Sequence, residues 1–140
     1  MTLEIIKRKG NRPLAPRESN LTKEFWSKLS TGEFTTTQCQ ECNHLMFPPR
    51  EHCSVCWSND MQWVSLSGKG KLYARTTIHA APDIFRNQVP YSVGIIDLDE
   101  GLRLIATIVD EEKQISNDES VQLLVLSYED GPLFAVHRNK

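Results

Sequence analysis

The sequence predicts a mainly β protein in which an N-terminal helix and a four-cysteine metal ribbon precede a small closed barrel. Three observations carry that expectation. Cys39, Cys42, Cys53 and Cys56 stand as two Cys-x-x-Cys pairs with ten residues between them. Residues 64–140 contain five runs rich in Val, Ile, Leu, Tyr and Thr, separated by turn signals. Ahead of both, Leu21, Phe25 and Leu29 recur every four residues as one apolar stripe.

The chain has 140 residues. That is about one domain's length, with room for a metal-stapled module beside a slightly larger core. It divides into an N-terminal arm and helix (1–33), the ribbon (34–63) and the barrel (64–140). In the first piece, Pro13 and Pro16 among charges predict an extended or mobile arm. Ser19 or Asn20 can cap the helix by accepting a first-turn backbone N–H, and Gly32 can stop it because glycine tolerates positive φ. A helix this short is marginal alone and must pack on the chain's own core or on a partner.

In the second piece, paired cysteines in a cytoplasmic protein point to metal rather than disulfides. Each pair forms a knuckle offering two sulfurs. Two knuckles close a tetrahedral four-thiolate zinc shell with no open position for a substrate or water. The zinc is therefore expected to supply folding energy rather than chemistry. Asn43 suits the positive φ that often follows a knuckle. Trp57, in the matching place, does not, which predicts an irregular second knuckle or a Trp57 turned to pack on the barrel or a partner. His44 and His52 are read as surface residues beside a filled shell. Between the pairs, Phe47-Pro48-Pro49-Arg50 forbids helix and favours an extended crossover.

In the third piece the strands fall at 69–79, 91–98, 102–109, 121–128 and 133–137. Asp99-Glu100-Gly101 and Glu129-Asp130-Gly131-Pro132 are the turn signals. Five strands with a long first one predict an oligonucleotide/oligosaccharide-binding (OB) barrel. In 69–79, alternation places Lys69, Lys71, Tyr73, Arg75, Thr77 and His79 on one face and Gly70, Leu72, Ala74, Thr76 and Ile78 on the core face. The basic face reads as a phosphate contact or as a solvated outer surface, and a bulge would break the alternation. The loop Ala80–Pro90, with Ile84, Phe85 and Arg86, reads as a binding loop or as a lid folded back on the barrel. The third and fourth strands are apolar on both faces. Their outer faces therefore need cover from the helix, the ribbon or another protein.

The net charge is −2. Residues 1–18 carry five Lys/Arg against two Glu, whereas residues 97–130 carry ten Asp/Glu against two Lys/Arg. The acidic stretch argues against the alternative of a single-stranded nucleic-acid-binding ribbon/OB protein, because it would repel phosphates. No apolar run reaches the length of a membrane helix, and no signal peptide is evident, so a cytoplasmic location is expected. Nothing pairs a free nucleophile with a base. His79 and His137 stand alone, and the chain is read as noncatalytic by itself.

The order of parts is itself informative. Phe25-Trp26, the cysteine ribbon with its Phe47–Arg50 crossover, Ser67-Gly68-Lys69-Gly70, Pro90-Tyr91 and the acidic turn ending in Gly101-Leu102-Arg103 follow one another. This order resembles the zinc-ribbon/OB-fold family of acyl-CoA-associated proteins, with a rubredoxin-like ribbon, from about residue 13 onward. Two positions depart from its pattern: Trp57 stands where glycine is usual, and Asn117 to Ser120 replace the usual turn before the fourth strand. The resemblance implies a small accessory subunit of a thiolase-like or ketosynthase-like enzyme in a hetero-oligomer, with the acyl chemistry on the partner. It implies a coenzyme A thioester as ligand of the complex. It also implies contacts to acyl-CoA or the partner from Phe25, Trp26, Lys69, Lys71, Arg75, Phe85 and Arg86.

Overall fold

The computed structural model describes residues 2–13, 16–80, 91–109 and 115–139. The elements are β1 (Ile5–Lys7), α1 (Thr22–Leu29), β2 (Thr35–Cys39), β3 (Leu45–Met46), β4 (Met61–Ser65), β5 (Lys69–Ile78), β6 (Tyr91–Leu98), β7 (Arg103–Ile108), β8 (Ser120–Tyr128) and β9 (Gly131–Arg138). The described residues are mainly β with one short helix. Among the described residues no helix is long and apolar enough to cross a membrane.

Strands β5, β6, β7, β9 and β8 follow one another around a barrel that closes where β8 pairs with β5. The β7–β9 pairing is parallel and the other barrel pairings are antiparallel. This is the five-stranded OB arrangement. Side chains alternate along β8: Val121, Leu123 and Val125 fill the interior, while Leu124 and Leu126 form a second buried layer with Ala135 of β9.

The cover over that outer layer is the N-terminal arm, not the helix. β1 runs parallel to β8, with Ile6 opposite Leu126 and packed against it. The arm continues through Arg8 N–H to Ser127 O (2.8 Å) and Glu129 N–H to Gly10 O (3.0 Å). Residues 2–13 are thus a pinned strand and crossover rather than a mobile arm. Strand-forming Ile5 and Ile6 have an exposed edge of β8 to pair with.

The helix is placed by its ends and its stripe. Ser19 Oγ accepts the Thr22 N–H at 3.1 Å, and the Thr22 hydroxyl accepts the Ser19 N–H at 2.8 Å. This reciprocal start is the one expected of Ser19. Gly32, at φ 89, closes the far end, where its N–H reaches Leu29 O and the Glu33 N–H reaches Lys28 O. Phe25 and Leu29 are buried.

The pieces that looked separate in sequence share one core. Phe25 of α1, Phe34 before β2, Phe47 of the ribbon crossover and Phe134 of β9 form a mutual ring cluster with centroids 5.3–6.3 Å apart. Edge-on and offset ring contacts at such distances are favourable beyond the area they bury. The ribbon is thereby anchored to the barrel through Phe47, whose peptide bond to Pro48 is cis.

Candidate metal centre

The ribbon is a three-stranded sheet in the order β3-β2-β4. β2 is unusual because Thr35, Thr36 and Thr37 are all buried. The Thr36 hydroxyl donates to Met46 O, and the Thr37 hydroxyl accepts the Arg50 N–H at 2.9 Å. The first bond ties β3 to β2 and the second ties the crossover to β2.

The cysteine sulfurs converge as the spacing predicted. All four lie within 4.8 Å of one another. Cys39 Sγ is 3.5 Å from Cys56 Sγ, and Cys42 Sγ is 3.5 Å from Cys53 Sγ. A tetrahedral zinc with Zn–S bonds of about 2.3 Å separates its sulfurs by about 3.8 Å, so the cradle suits that ion. Backbone N–H groups surround the sulfurs: Cys42 N–H points to Cys39 Sγ (3.4 Å), while Val55 and Cys56 N–H point to Cys53 Sγ (3.3 and 3.5 Å). These donors favour the thiolate. The Cys56 N–H, opposed by burial and helped by Val55, holds the Cys53 thiol down at about 6. Cys56 receives a lowering bond from the Ser58 backbone, but burial and the three neighbouring sulfurs push it up to about 12. Four thiols this close resist full ionisation until a cation joins them, and a divalent metal removes that conflict.

The two knuckles are alike, which corrects the expectation for the second. Asn43 has φ 63 with its N–H on Cys39 O at 2.9 Å; Trp57 has φ 64 with its N–H on Cys53 O at 3.0 Å. Trp57 accepts the left-handed conformation that the knuckle demands. It does not turn back onto the barrel, and it remains 77% exposed. His44 and His52 are exposed and stand outside the four-sulfur group, as expected.

The expected contact residues are dispersed. Phe25 is 3% exposed at the centre of the ring cluster, so it is a core residue with no surface to offer. The stripe pattern identified its helix face, but not whether the core or a partner covers that face. Trp26 is half-buried beside it. Lys69 is half-buried, and Lys71 is exposed on the outer face.

Arg75 does not join these two lysines. The pairing of β5 with β6 shifts register between Leu72 and Ala74, so Tyr73 is a bulge. Beyond it, Ala74 stands opposite Ile95 and Arg75 opposite Gly94, the position whose Cβ would meet core Leu72, Ile96 and Ile108. Arg75 has therefore changed face, and its Nη2 donates to Ser92 Oγ at 2.8 Å. The basic stripe is shorter than strict alternation implied. Tyr73, half-exposed, instead lies under Arg103, whose guanidinium is 3.8 Å from the ring centre and also bonded to Asp97 at 2.6 and 3.1 Å. That arginine holds the Asp97 carboxyl below its ordinary range. The sequence contained Tyr73, Asp97 and Arg103 but no local signal that they meet. Phe85 and Arg86 lie outside the described residues.

Comparison with known proteins agrees with this geometry. A family model described as the ChsH2 rubredoxin-like zinc ribbon domain matches residues 26–62, and one described as the ChsH2 C-terminal OB-fold domain matches residues 63–125. A DUF35 domain-containing scaffold protein of Methanocaldococcus jannaschii is 42% identical over 74 residues, which are 52% of this chain and 52% of that protein. The benzoylsuccinyl-CoA thiolase subunit BbsA of Thauera aromatica is 36% identical over 92 residues, 63% of this chain and 60% of that protein. The matched stretches thus span only half to three fifths of these relatives. Among solved structures, a chain of the Ltp2-ChsH2(DUF35) aldolase superposes with a TM-score of 0.78 at 24% identity, covering 89% of this chain and 98% of that one. At that identity the likeness is one of fold.

Proposed function

Because this chain belongs to the zinc-ribbon/OB-fold family that the two ChsH2 domain models describe, we propose that it is a noncatalytic accessory subunit of a thiolase-like acyl-CoA enzyme. The observation that carries this reading is the likeness to the benzoylsuccinyl-CoA thiolase subunit BbsA. The metal centre supports it. All four cysteines of the chain converge on one closed shell, which leaves none of them as a nucleophile for acyl transfer. Acyl chemistry would then belong to the partner, and zinc would hold the ribbon in shape.

In this reading the chain helps form the passage for the coenzyme A arm. Lys71 and Lys69 on the outer face of β5 would meet its phosphates, and Trp26 would offer an apolar contact. Phe25 has no such role, since it is buried.

The test is co-expression with the thiolase-like protein encoded nearest to it, followed by purification through a tag on this chain. The expected result is a stable complex whose thiolase or acyltransferase activity falls when this subunit is withheld. In the complex, Lys71→Ala should raise the KM for acyl-CoA with kcat little changed. A chain that purifies alone and leaves the enzyme's rate untouched would refute the reading.

A further inference from the structure

The arm carries two arginines with opposite fates. Arg12 is held by an acid: its backbone N–H donates to Asp130 Oδ1 at 2.8 Å, Nη2 to Asp130 O at 3.0 Å and Nη1 to Pro132 O at 3.3 Å, and its buried Nε, which makes no hydrogen bond, lies 3.4 Å from Asp130 Oδ1 in an ion pair. Arg8 is not. Its Nε is buried and has no hydrogen-bond partner among the described residues. No described acid forms an ion pair with it.

Arg8 lines a groove of about 740 Å³ on the outer surface of the barrel. The groove's floor is apolar: Val93 of β6, Ile105 of β7, Val109, Leu126 of β8 and Leu133 of β9. Ile105 is 64% exposed, an uncommon position for a large aliphatic side chain. Arg8 reaches the groove because it follows β1 on the same side as Ile6, which packs into the outer apolar layer. Exposed Lys7 and Lys9 flank it on the arm.

A buried guanidinium edge without an acceptor is costly, and an apolar trough of this volume matches the size of small-molecule sites. We propose that the groove binds an apolar carboxylate. Its carbon chain or ring system lies along Val93, Ile105 and Leu133, and its carboxylate pairs with the guanidinium of Arg8 at the groove wall. A guanidinium offers paired N–H donors that suit a carboxylate. A neutral ligand would leave the charge unanswered, and a purely ionic one would waste the floor.

The site does not depend on the thiolase-partner reading, because it is tested on the isolated full-length zinc-loaded chain. Decanoate and decanol are titrated by calorimetry, with methyl NMR shifts to locate them. The expected result is saturable decanoate binding, with shifts at Val93, Ile105, Val109 and Leu133, and decanol at least about tenfold weaker. Arg8→Gln should lower decanoate affinity about tenfold and leave decanol unchanged. Ile105→Asp, at an exposed position that tolerates change, should repel decanoate with the fold intact. The proposal is overturned if decanoate does not saturate, if decanol binds as tightly, if Arg8→Gln changes nothing, if the shifts gather elsewhere on the barrel, or if only an acidic peptide occupies the groove.

Discussion

Arg12 and Asp130, 118 residues apart, are joined by two hydrogen bonds and a 3.4 Å ion pair. The guanidinium also lies against Gly131, where any Cβ would collide with it. This one contact locks the N-terminal arm over the β8–β9 turn. Arg12→Ala should release the arm while leaving the barrel folded. Hydrogen exchange should then quicken at Ile6, Arg8 and Glu129, and hardly at all at the interior amides of β6. Uniform quickening would mean that the arm is integral to the core.

The same pair has a pH signature. The Arg12 N–H and charge hold the Asp130 carboxyl below its ordinary range. A carboxyl depressed in the fold contributes stability that is complete above the ordinary carboxylate range and is lost as pH falls below that range and through the depressed value. The arm should therefore loosen in acid before the barrel unfolds. Asp130→Asn should make the arm's protection factors, taken against the intrinsic exchange rate at each pH, nearly independent of pH in that window.

The metal centre should respond to acid in the same direction. Thiols bind zinc as thiolates, so protons compete with the metal, and the stability it supplies is present at neutral pH and lost on acidification. Cys53→Ser should lower the zinc content from one ion per chain to almost none. It should also unfold residues 34–63, as seen by circular dichroism, and weaken assembly with the partner. A variant that assembles and remains active without metal would show that zinc is not the staple.

Trp57 separates fold from function. Its positive φ costs a non-glycine residue about 1 kcal/mol. Trp57→Gly should hence stabilise the isolated chain by about 1 kcal/mol or less. If its exposed ring meets the thiolase-like partner, the same change weakens the complex. Equal affinity for wild type and variant would remove Trp57 from that interface.

Phe34 is 1% exposed and touches rings from α1, the crossover and β9. Phe34→Ala should cost about 3–5 kcal/mol. The loss should appear as one cooperative transition for ribbon and barrel together, because they share the cavity. Two separated transitions would mean that the ribbon is held by zinc alone.

Much of this was legible along the chain. The Cys-x-x-Cys pairs define their ligand set without help, since each knuckle is local. Runs rich in Val, Ile, Leu, Tyr and Thr between turn signals placed the five barrel strands to within two residues, because strand preference and turn chemistry are also local. Ser19 and Gly32 marked the helix by hydrogen bonds that span only a few positions. Two of the errors share a cause. Arg75 was grouped with Lys69 and Lys71 by counting twos, but the bulge at Tyr73 belongs to the pairing of β5 with β6, which only the folded sheet contains. The resemblance implied a contact at Phe25, but its stripe does not say what lies opposite; Phe34, Phe47 and Phe134 do, and they bury it.

The sequence by itself determined the metal site, the strands and the order of parts, because those depend on neighbours a few residues apart. Only the tertiary structure decided which cations face outward together, that the arm rather than the helix covers the outer layer of β8, and that Arg8 lines an apolar groove with no acid paired to it among the described residues. Each of these depends on residues tens of positions apart being brought together, and closing the barrel does that.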